Sequence, residues 1–137
     1  MEDTSQGNIA PVRIAVIGSG YVGLVAAACF AEIGHTVTCV DNDEAKIAAL
    51  QGGLAPIHED LLPDLLAHVS GTQLSFSSDL STAIKEAEAI FIAVGTPSLD
   101  TGDADLSCVE SVAAEIARSV NGYKVIVEKS TVPVYTA

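Results

Sequence analysis

The sequence predicts an α/β fold in which helices cover both faces of one parallel sheet, a doubly wound arrangement. Three observations favour it. Short runs rich in β-branched residues alternate with apolar helical stretches, which is the pattern of βαβ units. The first run ends in closely spaced glycines that open directly into a helix, and the second run ends in an aspartate. Right-handed crossovers then give the strand order 3-2-1-4-5, with a crevice where the winding reverses between strands one and four.

The elements of the first half are bounded by residues that start or stop helices. Gly34 is expected to end the first helix, because glycine readily takes the left-handed conformation found after helices. Asp43 is expected to cap the second helix through its side chain. The predicted order is a strand at Arg13–Ile17, a helix at 21–33, a strand at 36–41, a helix at Glu44–Gln51, a short helix at 61–68 and a strand at 73–76.

The second half repeats this alternation. In the last helix, apolar residues recur at helical spacing. They are Val109, Val112, Ala113, Ile116, Ala117 and Val120. The predicted order is a helix capped by Ser78 or Asp79 and running to about residue 86, a strand at 89–93, a helix capped by Asp105 and ended by Gly122, and a fifth strand at 124–128.

A G-x-G-x-x-G pattern lies between the first strand and the first helix. Gly18 lets the chain turn sharply, and Gly20, which has no Cβ, lets the backbone approach a pyrophosphate. Gly23 lets the helix lie close to the strand. Free N–H groups and the positive end of the helix dipole then bind phosphates. This order of elements is the dinucleotide-binding fingerprint of Rossmann-type folds. A glycine turn that binds no nucleotide is the alternative interpretation.

Asp41 completes the fingerprint as the acidic residue at the end of the second strand. A carboxylate there is placed to accept hydrogen bonds from the hydroxyls of the adenosine ribose. It would repel a 2′-phosphate, and no arginine follows it directly. The sequence therefore favours NAD over NADP.

The composition excludes several classes of partner and site. The net charge is −12 with only six Lys and Arg residues, which argues against nucleic acid and anionic membranes as partners. We find no secretory signal and no segment long and apolar enough to span a membrane, so we expect a soluble, cytoplasmic protein. Cys29, Cys39 and Cys108 show neither metal spacing nor a disulfide pattern, and we interpret them as buried free thiols.

Three segments are expected to line the crevice at the carboxyl ends of the strands, at 18–23, 94–97 and 129–133. The runs around them are IGSGYVGLVAAACFAEIGHTVTCVD, IAVGTPSLDTGDADLS and NGYKVIVEKSTVPV. They resemble the NAD-binding domain of the UDP-glucose/GDP-mannose dehydrogenase family. The resemblance covers about residues 13–134. It is closer to the UDP-glucose branch than to the GDP-mannose or UDP-N-acetyl-sugar branches, which are the alternatives.

The resemblance implies that two NAD molecules are reduced as the C6 alcohol of UDP-glucose becomes the carboxylate of UDP-glucuronate. A catalytic cysteine carries a thiohemiacetal and then a thioester on this path. The resemblance also implies a catalytic role for Thr131, as the residue that positions water. The implied cofactor contacts are Gly18, Gly20, Tyr21, Val22 and Gly23 near the pyrophosphate, Asp41 and Lys46 at the adenosine ribose, Val94, Gly95, Thr96 and Pro97 beside the cofactor, and Ser130 and Thr131 toward the nicotinamide.

Some parts of this family are absent from the sequence. The family's nucleophile lies in a Gly-Phe-Gly-Gly-Ser-Cys segment, and the chain contains no such segment. We therefore expect one NAD-binding domain at 13–137, truncated before its sixth strand and without a substrate domain. Residues 1–12 are polar and lack periodicity, so we expect a flexible tail there. We expect this fragment to be catalytically inactive and marginally stable, with an exposed fifth strand that favours self-association. The full-length enzyme is expected to be a homo-oligomer.

Two other functions remain open from the sequence. A nucleotide-sensing regulatory domain shares the order of strand, glycines, helix and acid. Such a sensor needs no hydroxyl near the nicotinamide, so Thr96 and the KSTVPV run weigh against it. An acidic interaction domain that keeps the fold without a ligand is the other alternative.

Overall fold

The computed structural model describes residues 10–136 and contains one five-stranded parallel sheet. Positions 1–9 of the expected tail lie outside the described residues. In chain order the elements are β1 (Arg13–Ile17), α1 (Tyr21–Glu32), β2 (Thr36–Val40), α2 (Glu44–Gln51), α3 (Leu62–Val69), β3 (Leu74–Ser77), α4 (Leu80–Glu86), β4 (Ala89–Ile92), α5 (Ser107–Ser119) and β5 (Val125–Glu128). The spatial order of strands is β3-β2-β1-β4-β5, which confirms the predicted doubly wound fold.

The central strand β1 aligns the carboxyl ends of its neighbours. Ile17, its last residue, is level with Val40 of β2 and Ile92 of β4. The two following turns are held together at this edge, because the Gly18 N–H donates to the Val40 carbonyl at 2.7 Å. The segments that leave β1, β2 and β4 therefore meet at one edge of the sheet, where ligands of such folds bind.

The sheet has a separate apolar core on each face, because side chains alternate along a strand. Ile14 and Val16 of β1 belong to one core, with α1 and α3. Ala15 and Ile17 belong to the other, with α4 and α5. Val12, at the end of the expected tail, also packs against the first core.

The amino end of α1 approaches β1 closely enough that no side chain fits between them. A Cβ placed on Gly23 would lie 1.8 Å from the Gly18 carbonyl oxygen. Gly18 has φ +108°, and a Cβ placed on it would lie 2.3 Å from the Ala93 carbonyl oxygen. Both glycines are therefore required by the packing of main chain on main chain.

Most predicted elements agree with the structure to within two residues at each end. Asp43 and Asp79 cap their helices as expected, through Lys46 N–H and Thr82 N–H. The prediction that Asp105 is the N-cap of the last helix is wrong. Leu106 holds that position, and the Asp105 carboxylate instead accepts from Ser107 N–H at 2.9 Å.

Several residues that were expected inside the protein are exposed. Of the three cysteines, Cys39 is buried, whereas Cys29 and Cys108 are exposed. Helix α1 is apolar on almost every side, so its sequence did not indicate that Cys29 lies outside the buried stripe. On α5 the buried positions are Val109, Val112, Ile116 and Ser119, and the remaining apolar residues of its predicted stripe, Ala113, Ala117 and Val120, are exposed.

Among the described residues, strand β5 forms one edge of the sheet and pairs with β4 alone. Its residues Val125 and Ile126 are 48% and 51% exposed, so apolar side chains accompany the unpaired main-chain groups at this edge.

Within residues 10–136, none of the helices has the length and apolar character needed to cross a membrane.

We predict that Gly23→Ala lowers the free energy of unfolding by about 3 kcal/mol or more, because the added methyl group overlaps backbone that cannot move aside. Urea denaturation followed by circular dichroism measures this loss. Gly20→Ala is the matched control, since a Cβ on Gly20 meets nothing within 4 Å. The control should lose less than about 1 kcal/mol. Equal losses in the two variants would contradict the close approach of α1 to β1.

Candidate functional site

A cleft of about 560 Å³ lies at the carboxyl ends of the strands, within the range of about 300–1,000 Å³ that is typical of small-molecule sites. It is lined by the turn after β1, the end of β2, the segment after β3, the end of β4 and the amino end of α5. The predicted cofactor residues that line it are Gly18, Gly20, Asp41, Lys46, Val94 and Gly95.

The other predicted site residues lie outside the lining of this cleft. Tyr21, Val22 and Gly23 form the first turn of α1. The Tyr21 and Val22 side chains are 55% and 41% exposed, whereas Gly23 is buried against Gly18. The remaining four lie on the loops that follow β4 and β5, namely Thr96, Pro97, Ser130 and Thr131.

The amino end of α1 carries no group that would compete with an anion. Gly20 is its N-cap, without a side-chain capping bond, and the first turn contains no acidic residue. The N–H groups of a first helical turn have no partner within the helix, and the helix dipole is positive at this end. This turn can therefore accept a phosphate through main-chain amides alone.

Both carboxylate oxygens of Asp41 accept hydrogen bonds from the surrounding chain. Oδ2 accepts from the Ser19 N–H at 2.9 Å and from the Ser19 hydroxyl at 2.6 Å. Oδ1 accepts from the Asp43 N–H at 3.0 Å. The Lys46 ammonium lies 3.7 Å from Oδ2. These contacts place the carboxylate beside the glycine turn and orient it.

Ser19 is the main site residue that sequence reasoning missed. It is fully buried, and its hydroxyl and N–H both donate to Asp41. The available signal was its position between the first two glycines of the motif, directly opposite the end of β2. Because that position is written as "any residue" in the fingerprint, the pattern itself gave it no weight.

The environment of Asp41 lowers the pKa of its carboxyl group. Burial acts to raise this pKa, but hydrogen bonds from the Ser19 hydroxyl, the Asp43 N–H and the Ser19 N–H outweigh burial, and Lys46 contributes in the same direction. Asp41 is therefore a charged acceptor at neutral pH. Behind it, burial raises the pKa of the Cys39 thiol to about 12, with the Asp41 charge adding to the effect.

Thr96 and Thr131 come together although they lie on different loops. The Thr96 hydroxyl donates to the Thr131 carbonyl at 2.7 Å, and the two Oγ1 atoms are 3.0 Å apart. A hydroxyl has one proton to donate. Thr96 uses its proton on the carbonyl, so Thr131 is the donor between the hydroxyls. The lone pairs of the Thr131 Oγ1 atom are left to accept a hydrogen bond from another molecule.

The turn after β5 is held by main-chain and carboxylate bonds. Lys129 N–H and Ser130 N–H both donate to the Ile92 carbonyl, at 2.8 and 3.1 Å. Ser130 N–H also donates to the Glu128 carboxylate at 2.7 Å. Glu128 therefore orders the segment that presents Ser130 and Thr131.

The amino end of α5 also lines the cleft. Ser107, Cys108 and Ser111 line the cleft there, and none of them was a predicted site residue. Topology was the available signal, since the helix that follows β4 starts at the crevice. Within residues 10–136, no group of three or more His, Cys, Asp or Glu side chains is arranged to hold a metal ion.

The fold and the cleft together define a dinucleotide-binding domain, because free helix amides and a strand-end carboxylate face one crevice. Comparison with known proteins narrows this class. The model of the UDP-glucose/GDP-mannose dehydrogenase family, NAD binding domain, matches residues 12–137. The chain belongs to this family, and the cofactor of the matched domain is NAD.

Individual proteins of this family are similar to the chain in sequence and in structure. The chain is 54% identical over 125 residues to UDP-glucose 6-dehydrogenase TuaD of Bacillus subtilis, covering 90% of this chain and 27% of that protein. The solved structure of a UDP-glucose dehydrogenase from Pyrobaculum islandicum has a TM-score of 0.87 at 37% identity, covering 92% and 30% of the two chains. That of a GDP-mannose dehydrogenase from Pseudomonas aeruginosa has a TM-score of 0.83 at 40% identity, covering 88% and 28%. The chain thus spans less than a third of the length of these relatives.

We predict that Asp41 makes stability depend on pH in the acid range. Its pKa is lower in the folded than in the unfolded chain, so its contribution is complete above the unfolded value of about 3.9 and is lost as the pH falls through the folded value. Urea unfolding of the wild type and of Asp41→Asn between pH 7 and pH 3 measures it. The difference in unfolding free energy should stay constant down to about pH 5 and shrink below that. A difference that grows toward low pH would contradict the assigned contacts.

We predict that two of the three cysteines react with a thiol reagent in the folded protein. Cys29 and Cys108 are exposed, whereas Cys39 is buried and its thiol has a pKa of about 12. A thiol that is shielded and protonated is unreactive. Mass spectrometry after brief alkylation measures the pattern, and Cys39 should be modified only after unfolding in urea. Rapid labelling of Cys39 in the native protein would contradict its placement.

Proposed function

We propose that the chain binds NAD across the cleft, with the pyrophosphate at the amino end of α1 and the adenosine ribose at Asp41. The observation that carries this proposal is the oriented Asp41 carboxylate beside a helix end without a capping side chain. Gly18, Gly20, Tyr21, Val22 and Gly23 then surround the pyrophosphate.

The residues present fit such a cofactor. A Cβ on Gly20 would meet nothing within 4 Å, so the space in front of the first helix amides is open. The first turn of α1 lacks an acidic residue, and no carboxylate of that turn opposes a bound pyrophosphate. Because the chain has only six Lys and Arg residues, main-chain amides are the principal groups available to hold phosphates.

The same residues favour NAD over NADP. The Asp41 carboxylate accepts hydrogen bonds from a ribose hydroxyl but repels a 2′-phosphate. Lys46 does not reverse this preference, because its ammonium lies 3.7 Å from that carboxylate and the two charges offset each other.

The nicotinamide end is proposed to lie toward β5, near Val94, Gly95 and the group formed by Thr96, Pro97, Ser130 and Thr131. From β2 to β5 the sheet spans three strand spacings, about 14 Å, so a ligand that starts at Asp41 and crosses the strand ends reaches these loops. The Thr131 hydroxyl donates to Thr96 and can accept from water. A water molecule that donates to Thr131 is oriented with its lone pairs directed elsewhere, which is the positioning role proposed for Thr131.

We further propose that the whole protein oxidises UDP-glucose to UDP-glucuronate with two NAD molecules. Bound NAD supplies the hydride acceptor for this chemistry. Support for UDP-glucose comes from relatives named UDP-glucose 6-dehydrogenase at 54% and 52% identity, above the 40% identity to the GDP-mannose enzyme. The 137 residues contain no Gly-Phe-Gly-Gly-Ser-Cys segment, so they are proposed to lack activity by themselves. Assembly of the whole protein into a homo-oligomer, and self-association of this chain through β5, are also proposals.

Titration with NADH tests the cofactor site. We expect saturable binding by fluorescence, and about tenfold weaker binding by Asp41→Asn, because a neutral amide oxygen accepts a weaker hydrogen bond than a carboxylate does. Incubation with UDP-glucose and NAD should produce no NADH. Sustained NADH production by this chain alone would contradict the proposal that it binds NAD without being active by itself. If AMP or ADP bound as tightly as NAD, the result would instead favour a nucleotide sensor.

Cysteine labelling locates the bound cofactor in the same experiment. Cys108 lines the cleft, whereas Cys29 is exposed on α1 away from it. NADH should slow the alkylation of Cys108 and leave that of Cys29 unchanged. If NADH binds without protecting Cys108, the cofactor lies elsewhere.

A further inference from the structure

Buried polar side chains are rare in this protein, and each needs a partner. Within residues 10–136, the polar side chains in the buried class are Ser19 and Ser119. The Ser19 side chain is 0% exposed, and its hydroxyl donates to Asp41 Oδ2 at 2.6 Å. The Ser119 hydroxyl donates to Glu115 Oε1 at 2.8 Å, near the carboxyl end of α5.

We propose that Ser19 is a positioning residue that sets cofactor selectivity, by fixing Asp41 so that only its Oδ1 atom is presented to a ribose 2′-hydroxyl. This inference rests on the proposed function, because it assumes that the adenosine ribose binds at Asp41. It adds a role for the residue between the glycines that the fingerprint leaves free.

The hydrogen bonds of the Asp41 carboxylate leave one acceptor position open. A carboxylate has about four lone-pair sites. Ser19 fills two of them on Oδ2 through its N–H and hydroxyl, and the Asp43 N–H fills one on Oδ1. One site therefore remains, on Oδ1. Without the Ser19 hydroxyl, Oδ2 regains a free site and the carboxylate has one fewer contact that fixes its rotation.

Ser19→Ala tests the role directly. NADH binding, measured by fluorescence titration, should weaken about tenfold, because Asp41 is less well oriented and hydrogen bonds to charged groups are strong. NADPH carries a phosphate on the 2′-oxygen and cannot donate a 2′-hydroxyl bond, so its affinity, measured by competition with NADH, should change less than about twofold. The preference for NADH over NADPH should therefore fall about tenfold.

Two further variants separate positioning from folding. Ser119→Ala also removes a buried hydroxyl that donates to a carboxylate, in this case that of Glu115, and Ser119 does not line the cleft. Its NADH and NADPH affinities should match those of the wild type. Ser19→Thr keeps the hydroxyl and should restore most of the NADH affinity. If threonine does not fit the buried position, thermal unfolding shows that directly, and the alanine pair still decides the question.

A titration without any ligand gives an independent readout. The ¹³Cγ chemical shift of Asp41 should report a higher pKa in Ser19→Ala than in the wild type, because the Ser19 hydroxyl is the strongest of the bonds that lower this pKa. An unchanged Asp41 titration would show that the Ser19 hydroxyl does not orient Asp41 in solution, which would overturn the proposal.

The possible failures are distinguishable. If the wild type binds no NADH, the proposed function fails, and this inference falls with it. If the wild type binds NADH but Ser19→Ala retains both the selectivity and the Asp41 titration, the proposed function stands and the role of Ser19 is overturned. An equal loss of NADH and NADPH affinity would also overturn it, because that result indicates general damage to the phosphate turn.

Discussion

The site depends on the close approach of the α1 amino end to the carboxyl end of β1. Gly23 and Gly18 are in main-chain contact, and Gly18 in turn lies against the Ala93 carbonyl after β4. Since a single Cβ at either glycine would overlap backbone, the helix can lie this close to the two strands only with glycine at both positions. The free amides of the helix therefore open at the crevice between β1 and β4, and every other element of the cleft is arranged around that position.

A second constraint is electrostatic, because a chain of net charge −12 is assigned an anionic cofactor. The fold offsets the negative charge near the cleft with the dipole of a helix. The amino end of α1 lines the cleft through its N-cap Gly20, and it contributes a partial positive charge with no acidic side chain in its first turn. Asp41 places a negative charge in the cleft, and hydrogen bonds from Ser19 and Asp43 stabilise that charge. Backbone geometry thus takes the place of the cationic side chains that many phosphate sites use.

The strand order, the glycine turn and Asp41 could be predicted because each follows from local rules: hydrophobic period, chirality of crossovers and backbone sterics. Cys29 could not be placed, because an apolar helix gives no indication of which side faces the core. The contact of Ser19 with Asp41 and that of Thr96 with Thr131 were also beyond reach. These pairs are separated by 22 and 35 positions, and their meeting depends on loop conformations that no periodic pattern encodes.

The contact between Thr96 and Thr131 also has a consequence for binding. It joins two surface loops through two hydrogen bonds that share the Thr96 hydroxyl, and each neutral hydrogen bond of this kind contributes on the order of 1 kcal/mol. Because these bonds already hold the loops together, a molecule that engages both loops at once needs little free energy to order them.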